Sequence, residues 1–185
     1  MSATDAAYPL EAAAHAHALD DSVDPIDPVQ FRTALGRFAT GVTVVTCRVD
    51  GADHAMTANS LTSVSLEPPL VLVCVERETR FHEAILTATH WGVSVLGANA
   101  RGAATWLATR GRPLAGQLDP VAHRRSSLTG VALLDEALAW FEVRTTAVHD
   151  GGDHRIVVGE VVGLTLAEDP PPALTFFRGR YGHLD

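Results

Sequence analysis

Lysine does not occur in this sequence, and all 14 basic residues are arginine. Without a lysine amine, the protein cannot form a Schiff base with a carbonyl substrate or use a lysine nucleophile. The stretch at residues 36–43 approaches a phosphate-binding P-loop, but Val42 stands where that motif requires lysine. Both kinds of site are therefore excluded.

Cysteine is also scarce, since only Cys47 and Cys74 occur, each inside an apolar run. Two cysteines are too few for a disulfide framework, so we expect buried free thiols in a reducing compartment. The N-terminus lacks a basic segment followed by an apolar one, and no apolar run is long enough to span a bilayer. These absences predict a cytoplasmic protein with no membrane partner.

Basic residues are outnumbered by acidic ones, which gives a net charge of −8. Nucleic acid is therefore not expected as a partner, because phosphate binding needs a basic face. The length of 185 residues and the hydrophobic content of 46% are typical of one globular domain. We expect residues 1–26, rich in alanine and acidic side chains, to be a mobile tail, and residues 27–185 to fold.

The predicted domain opens with a helix and then consists mostly of strands. Asp27 can cap the helix, Pro28 suits its first turn, and Phe31, Leu35 and Phe38 fall on one face. A second helix, which the Thr79 side chain can cap, is predicted after that residue, and a third over residues 99–109. Strands are predicted at residues 42–47, 60–65, 70–75, 91–96, 140–148, 155–166 and 174–177, and after the turn at residues 50–51.

Tight turns connect several of these strands. Asp50-Gly51 and Gly151-Gly152 are both typical hairpin turns, and strands joined in this way pair antiparallel. The pattern favours a β-barrel with a few helices. No glycine-rich turn leads from a strand into a helix, which disfavours a dinucleotide-binding Rossmann domain. Residues 110–130 are predicted to be a long loop that covers a site or packs on a partner subunit.

The run MTANSLTSVS at residues 56–65 is dense in small hydrogen-bonding side chains. Small residues let backbone amides approach a flat ligand, and hydroxyls and amides can satisfy its ring heteroatoms. A flavin ring needs such a pattern. The alternative is the polar face of a surface strand pair, which composition alone would favour.

This run resembles the flavin-binding segment of the flavin reductase family, the small components of two-component monooxygenases. Three further stretches resemble that family in the same order: FRTALGRFATGV at residues 31–42, GDH followed by IVVGEV at residues 152–161, and FFRGRYG at residues 176–182. Together they cover about residues 28–182. The resemblance implies an FMN-binding split β-barrel, mainly β with helices, that forms a homodimer with flavin near the subunit interface.

The resemblance also implies the cofactor contacts. Thr79 and Arg80 would meet the flavin phosphate, where a helix N-terminus and a guanidinium both favour an anion. The alternative for Arg80 is a solvated side chain. The residues implied at the flavin ring are Met56, Thr57, Ala58, Asn59 and Ser60, with Cys74, Val75 and Glu76 at the edge of the same pocket.

A nicotinamide site is implied by the two C-terminal stretches. His154 follows the Gly-Gly turn and corresponds to the histidine that helps to seat the nicotinamide, which makes it the candidate catalytic residue. A surface histidine is the alternative, and core packing is the alternative for the two phenylalanines. The further residues implied on the nicotinamide side are Phe176, Phe177, Arg178, Gly179 and Tyr181.

Two positions depart from the family pattern. Ala55 stands where the family commonly has glycine, so its methyl group either narrows the approach to the flavin or is absorbed by the backbone. The helix near Trp106 and Leu107 lacks the arginine that usually touches the flavin. That contact is therefore not carried over to this chain.

These residues lead to one principal hypothesis and two alternatives. The resemblance implies an NAD(P)H-dependent reductase that passes a hydride from NADH or NADPH to FMN or FAD for a partner monooxygenase, without a metal. One alternative is a flavin-binding redox sensor or carrier without turnover, although such a carrier needs no nicotinamide site. The other is an assembly partner that uses its acidic tail and the long loop.

Overall fold

The computed structural model describes residues 24–185, so most of the predicted tail lies outside the described residues. The described helices are α1 (Pro28–Leu35), α2 (Arg80–Thr87) and α3 (Arg101–Ala108), and a 3-10 turn at Ala98–Ala100 precedes α3. The strands are β1 (Thr40–Gly41), β2 (Thr43–Val49), β3 (Ala52–Ala58), β4 (Thr62–Leu66), β5 (Pro69–Glu76), β6 (His90–Leu96), β7 (His123–Arg125), β8 (Ala132–Leu134), β9 (Ala137–Gly151), β10 (His154–Leu166), β11 (Ala173–Phe177) and β12 (Arg180–Leu184).

Seven strands form the main sheet in the order β3-β2-β6-β9-β10-β5-β4, with every neighbouring pair antiparallel. A smaller sheet has the order β1-β11-β12, and β7 pairs with β8. The prediction of a mainly β, antiparallel fold with helices is confirmed. Strands β3 and β4 are the edges of the main sheet, so each has one side free of a neighbouring strand.

Strand β2 is buried on both faces, which explains its continuous β-branched and apolar sequence. Val45 and Cys47 pack into a first core cluster together with Ile85 of α2. Val44 packs into a second cluster together with Leu107 of α3. The two helices therefore cover opposite sides of the sheet near β2.

Several elements differ from those predicted. The face of α1 that carries Phe31 and Leu35 is not packed within the part of the chain that the structure describes, since the two side chains are 54% and 56% exposed. Phe38 lies past the end of the helix and is 73% exposed. Strand β4 begins at Thr62, so Ser60 lies in the connection before it. The loop predicted at residues 110–130 contains β7 and a buried Gln117.

The cysteines are both free thiols, as expected, but only Cys47 is fully buried, and Cys74 is half-buried. Burial, and secondarily the charge of Asp53, raise the pKa of Cys47 to about 12. Burial also raises the pKa of Cys74. Among the helices of residues 24–185, none has both the length and the hydropathy needed to cross a membrane.

Candidate functional site

A cavity of about 340 Å³ lies where the edge strand β3 meets the beginning of α2 and the end of α3. Its remaining wall is formed largely by residues 109–117, which follow α3 and which we name the strap. The volume lies within the range that small-molecule sites occupy. The cavity is therefore the candidate site, and each predicted residue can be located relative to it.

Five of the predicted flavin residues line this cavity. Met56 and Thr57 reach it from β3, Glu76 from the end of β5, and Thr79 and Arg80 from the beginning of α2. The Thr57 hydroxyl donates a hydrogen bond of 2.7 Å to the backbone carbonyl of Ala104 in α3. Residues distant in sequence thus meet in one wall.

Other predicted flavin residues lie next to the cavity without lining it. Ser60 is hydrogen-bonded through its hydroxyl to the backbone of Cys74, so the connection after β3 is tied to β5. Ala58 is buried in the first core cluster. Val75 is also fully buried in that cluster, because alternate side chains of β5 face the core. Asn59 is exposed in the connection that precedes β4.

Thr79 occupies the N-cap position of α2, but its hydroxyl does not cap the helix. It donates instead to the backbone carbonyl of Glu76 at 2.8 Å. The capping role predicted for this side chain is therefore wrong. The first turn of α2 keeps the partial positive charge of a helix N-terminus beside Arg80.

Three arginines, Arg80, Arg110 and Arg112, line the cavity together with the carboxylates of Glu76 and Glu78, which leaves an excess of positive charge. Arg110 makes a bidentate ion pair with Glu76, with distances of 3.0 and 2.9 Å to its two carboxylate oxygens. Among the described residues, neither Arg80 nor Arg112 pairs with a carboxylate. Burial, and next the charge of Arg80, lower the pKa of Arg112. The cavity therefore suits an anionic group.

The strap arginines were missed by reasoning from the sequence. The expected site for a flavin-contacting arginine was the helix near Trp106, where none occurs. The structure instead brings Arg110 and Arg112 to the cavity from the residues just after α3. The one signal in the sequence is the long segment at residues 110–130, which is predicted to cover a site or to pack on a partner subunit.

His154 begins β10 and is paired in register with Glu76, whose side chain lines the cavity. Its Nδ1 atom lies 2.7 Å from a carboxylate oxygen of Asp153, and its side chain is 39% exposed. This hydrogen bond and the charge of His154 lower the pKa of Asp153. The candidate catalytic histidine thus lies beside the Glu76 end of the cavity, on the rim of the main sheet.

The predicted C-terminal residues do not line the cavity of the same chain. Phe176 and Tyr181 face each other across β11 and β12, with ring centroids 5.5 Å apart, and pack against the second core cluster. Arg178 and Gly179 form the turn between the two strands, and the amide of Arg178 donates to the carbonyl of Gly36. Phe177 is 42% exposed beside that turn.

Ala55 shows how this chain accommodates a methyl group where glycine is common. Ala55 is 1% exposed and packs in the second core cluster together with Leu107. Its backbone carbonyl accepts a hydrogen bond from Arg112 of the strap. The additional methyl group is therefore absorbed by the core.

Comparison with known proteins identifies the family. A family model for the flavin reductase like domain matches residues 35–185. This chain belongs to that family, as the resemblance predicted.

Individual relatives agree with this assignment over most of their length. The reductase component of 4-nitrophenol 4-monooxygenase/4-nitrocatechol 2-monooxygenase from Rhodococcus opacus is 37% identical over 161 residues, which are 87% of this chain and 83% of that protein. The flavin reductase component of a bacterial two-component tryptophan halogenase superposes with a TM-score of 0.81 at 43% identity, over 85% of this chain and 98% of that one.

A third relative was solved with both cofactor types. The NADH:FAD oxidoreductase of Streptomyces globisporus C-1027, in complex with NAD and FAD fragments, superposes with a TM-score of 0.80 at 36% identity. The match covers 88% of this chain and 98% of that one. The split-barrel fold implied by the resemblance is confirmed by these superpositions.

Proposed function

We propose that this protein is an NADH-dependent flavin reductase that transfers a hydride to FMN or FAD and supplies the reduced flavin to a partner monooxygenase. The observation that carries the proposal is the cavity in which Met56 and Thr57 meet Arg80 at the N-terminus of α2. Relatives named as NADH-dependent reductases and as monooxygenase components support the choice of NADH and of the partner.

The residues of the cavity fit a flavin. Arg80 has no carboxylate partner among the described residues and lies at a helix N-terminus, which suits a phosphate group. Met56 and Thr57 would hold the ring from β3, while Arg112 of the strap donates to the backbone carbonyl of Ala55 beside them. When bound, the flavin supplies the ring that accepts a hydride from the nicotinamide.

The chain itself contributes binding and orientation. His154 would contact the nicotinamide, and its hydrogen bond to Asp153 restricts the orientation of the imidazole ring. The strap and the end of α3 cover one side of the cavity. No covalent nucleophile is required, because positioning of the two reactants provides the main catalytic effect.

The active form is proposed to be a homodimer. Apolar side chains of α1 and of the region around it are exposed in a single chain, including Ile26, Val29 and Phe31. The β11–β12 hairpin carries the predicted nicotinamide residues, yet it does not line the cavity of its own chain. A second subunit that covers α1 would bury this apolar surface and could bring one chain's hairpin to the other chain's cavity.

The proposed location is the cytoplasm, where free thiols such as Cys47 and Cys74 stay reduced.

The function is tested by mixing the purified protein with NADH or NADPH and with FMN or FAD, and following the absorbance of the reduced nicotinamide. We expect flavin-dependent oxidation that is faster with NADH. A protein that binds flavin but oxidises neither nicotinamide would be a flavin carrier, and a protein that binds no flavin would contradict both readings.

A further inference from the structure

Strand β3 carries residues that line the cavity, and it is an edge strand of the main sheet. On one side it pairs with β2, and on its free side the backbone carbonyls of Asp53 and Ala55 have no neighbouring strand. The backbone polar groups on an unpaired strand edge need partners other than a neighbouring strand, such as side chains. In this protein those side chains come from the strap.

The strap reaches the free edge through Gln117 and Arg112. The Gln117 amide nitrogen donates to the carbonyl of Asp53 at 2.8 Å, and a terminal nitrogen of Arg112 donates to the carbonyl of Ala55. Gln117 is itself fixed, because it is 3% exposed and its backbone carbonyl accepts from the indole of Trp106 at 2.8 Å.

Arg112 joins three walls of the cavity. Its guanidinium donates to Ala55 of β3, to the Thr109 carbonyl at 2.9 Å, and to the Gln117 side-chain oxygen at 3.3 Å. Its own backbone carbonyl accepts from Arg80, the first residue of α2. One residue thus links the edge of β3, both ends of the strap and the beginning of α2.

We propose that Arg112 is a positioning residue of the reductase, which holds β3 and α2 at the spacing that flavin binding requires. The role depends on the planar fork of the guanidinium, because three acceptors in different directions are satisfied at once. A lysine ammonium has the same charge but lacks this fork. The inference rests on the proposed function, since the ligand that the spacing serves is the flavin.

The test compares Arg112→Lys and Arg112→Gln with the wild-type protein and with Arg144→Lys. Arg144 is a matched control, because it pairs with the partly exposed Glu160 on the sheet and does not line the cavity. Flavin dissociation constants come from fluorescence titration, turnover from NADH oxidation at saturating flavin, and strand mobility from hydrogen–deuterium exchange over residues 52–61.

Both Arg112 variants are expected to raise the flavin dissociation constant about tenfold, as when one charge-assisted hydrogen bond ceases to hold a binding segment. They should raise exchange over residues 52–61, and turnover at saturating flavin should stay within about twofold. Arg144→Lys should match the wild type in all three measurements. If Arg112→Lys also matches the wild type in affinity and exchange, the proposal is overturned.

A second variant covers the case in which Arg112 variants do not fold. Gln117→Met removes the bond to Asp53 and one of the three acceptors of Arg112, whose bonds to Ala55 and Thr109 remain, so it should weaken flavin binding less than tenfold. If Gln117→Met weakens flavin binding tenfold or more, the positioning role belongs to the strap as a whole. The specific role proposed for Arg112 is then overturned. If the wild-type protein shows no flavin-dependent NADH oxidation, the proposed function fails, whereas the exchange measurement still tests the role of Arg112.

Discussion

The hydroxyl of Ser60 bonds to both backbone polar groups of Cys74, accepting from its amide at 3.1 Å and donating to its carbonyl at 3.2 Å. Strand β4 reaches β5 only as far as the pair Thr62 and Leu72. Ser60, in the connection before β4 begins, therefore extends the pairing with β5 through its side chain, two residues beyond Leu72. This bond fixes the connection between β3 and β4, which carries part of the implied flavin segment.

Replacing Ser60 with alanine should destabilise the fold and weaken flavin binding. Both backbone groups of Cys74 would lose their partner, which costs about 1–3 kcal/mol when such groups remain shielded from water. Urea unfolding and flavin titration provide the measurements. Ser65→Ala is the matched control, because Ser65 makes one local bond, to the amide of Glu67, and is only partly buried. Equal losses of stability in the two variants would contradict this account.

Arg80 is expected to contact the flavin phosphate. Arg80→Ala should therefore raise the dissociation constant of FMN about ten- to a hundredfold, the value of one charge-assisted hydrogen bond. Riboflavin lacks the phosphate, so its weaker binding should change little. Fluorescence titration with the two ligands separates the effects. A similar loss for riboflavin would show that Arg80 acts through its bond to the strap instead.

His154 is expected to act on the nicotinamide and not on the flavin. His154→Ala should raise the KM for NADH about tenfold and leave the flavin dissociation constant within about twofold, as for the loss of one binding contact. Steady-state kinetics at saturating flavin and a flavin titration measure the two quantities. His123→Ala is the control, because His123 of β7 bonds to the carbonyl of Val121 and does not line the cavity.

Local patterns in the sequence predicted much of the fold. The β-branched run of β2, the turn at Gly151-Gly152 and the apolar stripe of α2 each contain their own signal, because turn chemistry and burial act over a few residues. The face of α1 carries such a signal too, but nothing within residues 24–185 covers it. An amphipathic pattern indicates that a face is to be buried, without indicating whether the partner is the same chain.

The candidate site was predicted in part, for a related reason. Met56, Thr57 and Arg80 belong to segments that resemble the family, and all three line the cavity. Arg112 and Gln117 were missed, because their contacts with β3 span 57 and 64 positions of sequence. Such contacts follow from how the strap folds back on the sheet edge, which no local pattern encodes. The prediction that the Thr79 hydroxyl caps α2 was wrong, because this hydroxyl donates to the backbone carbonyl of Glu76 instead.

The lowered pKa of the Asp53 carboxyl makes the stability of the fold depend on pH. Burial alone would raise the pKa of its carboxyl, but hydrogen bonds and charge from Arg125, and next from Arg48, outweigh burial and lower it. A carboxyl whose pKa is lower in the folded state stabilises the protein above its unfolded pKa of about 3.9. This contribution is lost as the pH falls through the folded pKa.

Asp53→Asn should therefore lower the free energy of unfolding at pH 7 by about 1.5–3 kcal/mol, the range for hydrogen bonds to a charged group. The difference from the wild type should shrink as the pH falls below about 4, because the wild-type carboxyl then becomes protonated as well. Urea unfolding at several pH values measures both effects. Asp169→Asn is the control, since Asp169 is exposed and forms none of the ion pairs found in the described chain. A difference between Asp53→Asn and the wild type that stays constant down to pH 3 would contradict the role given to the two arginines.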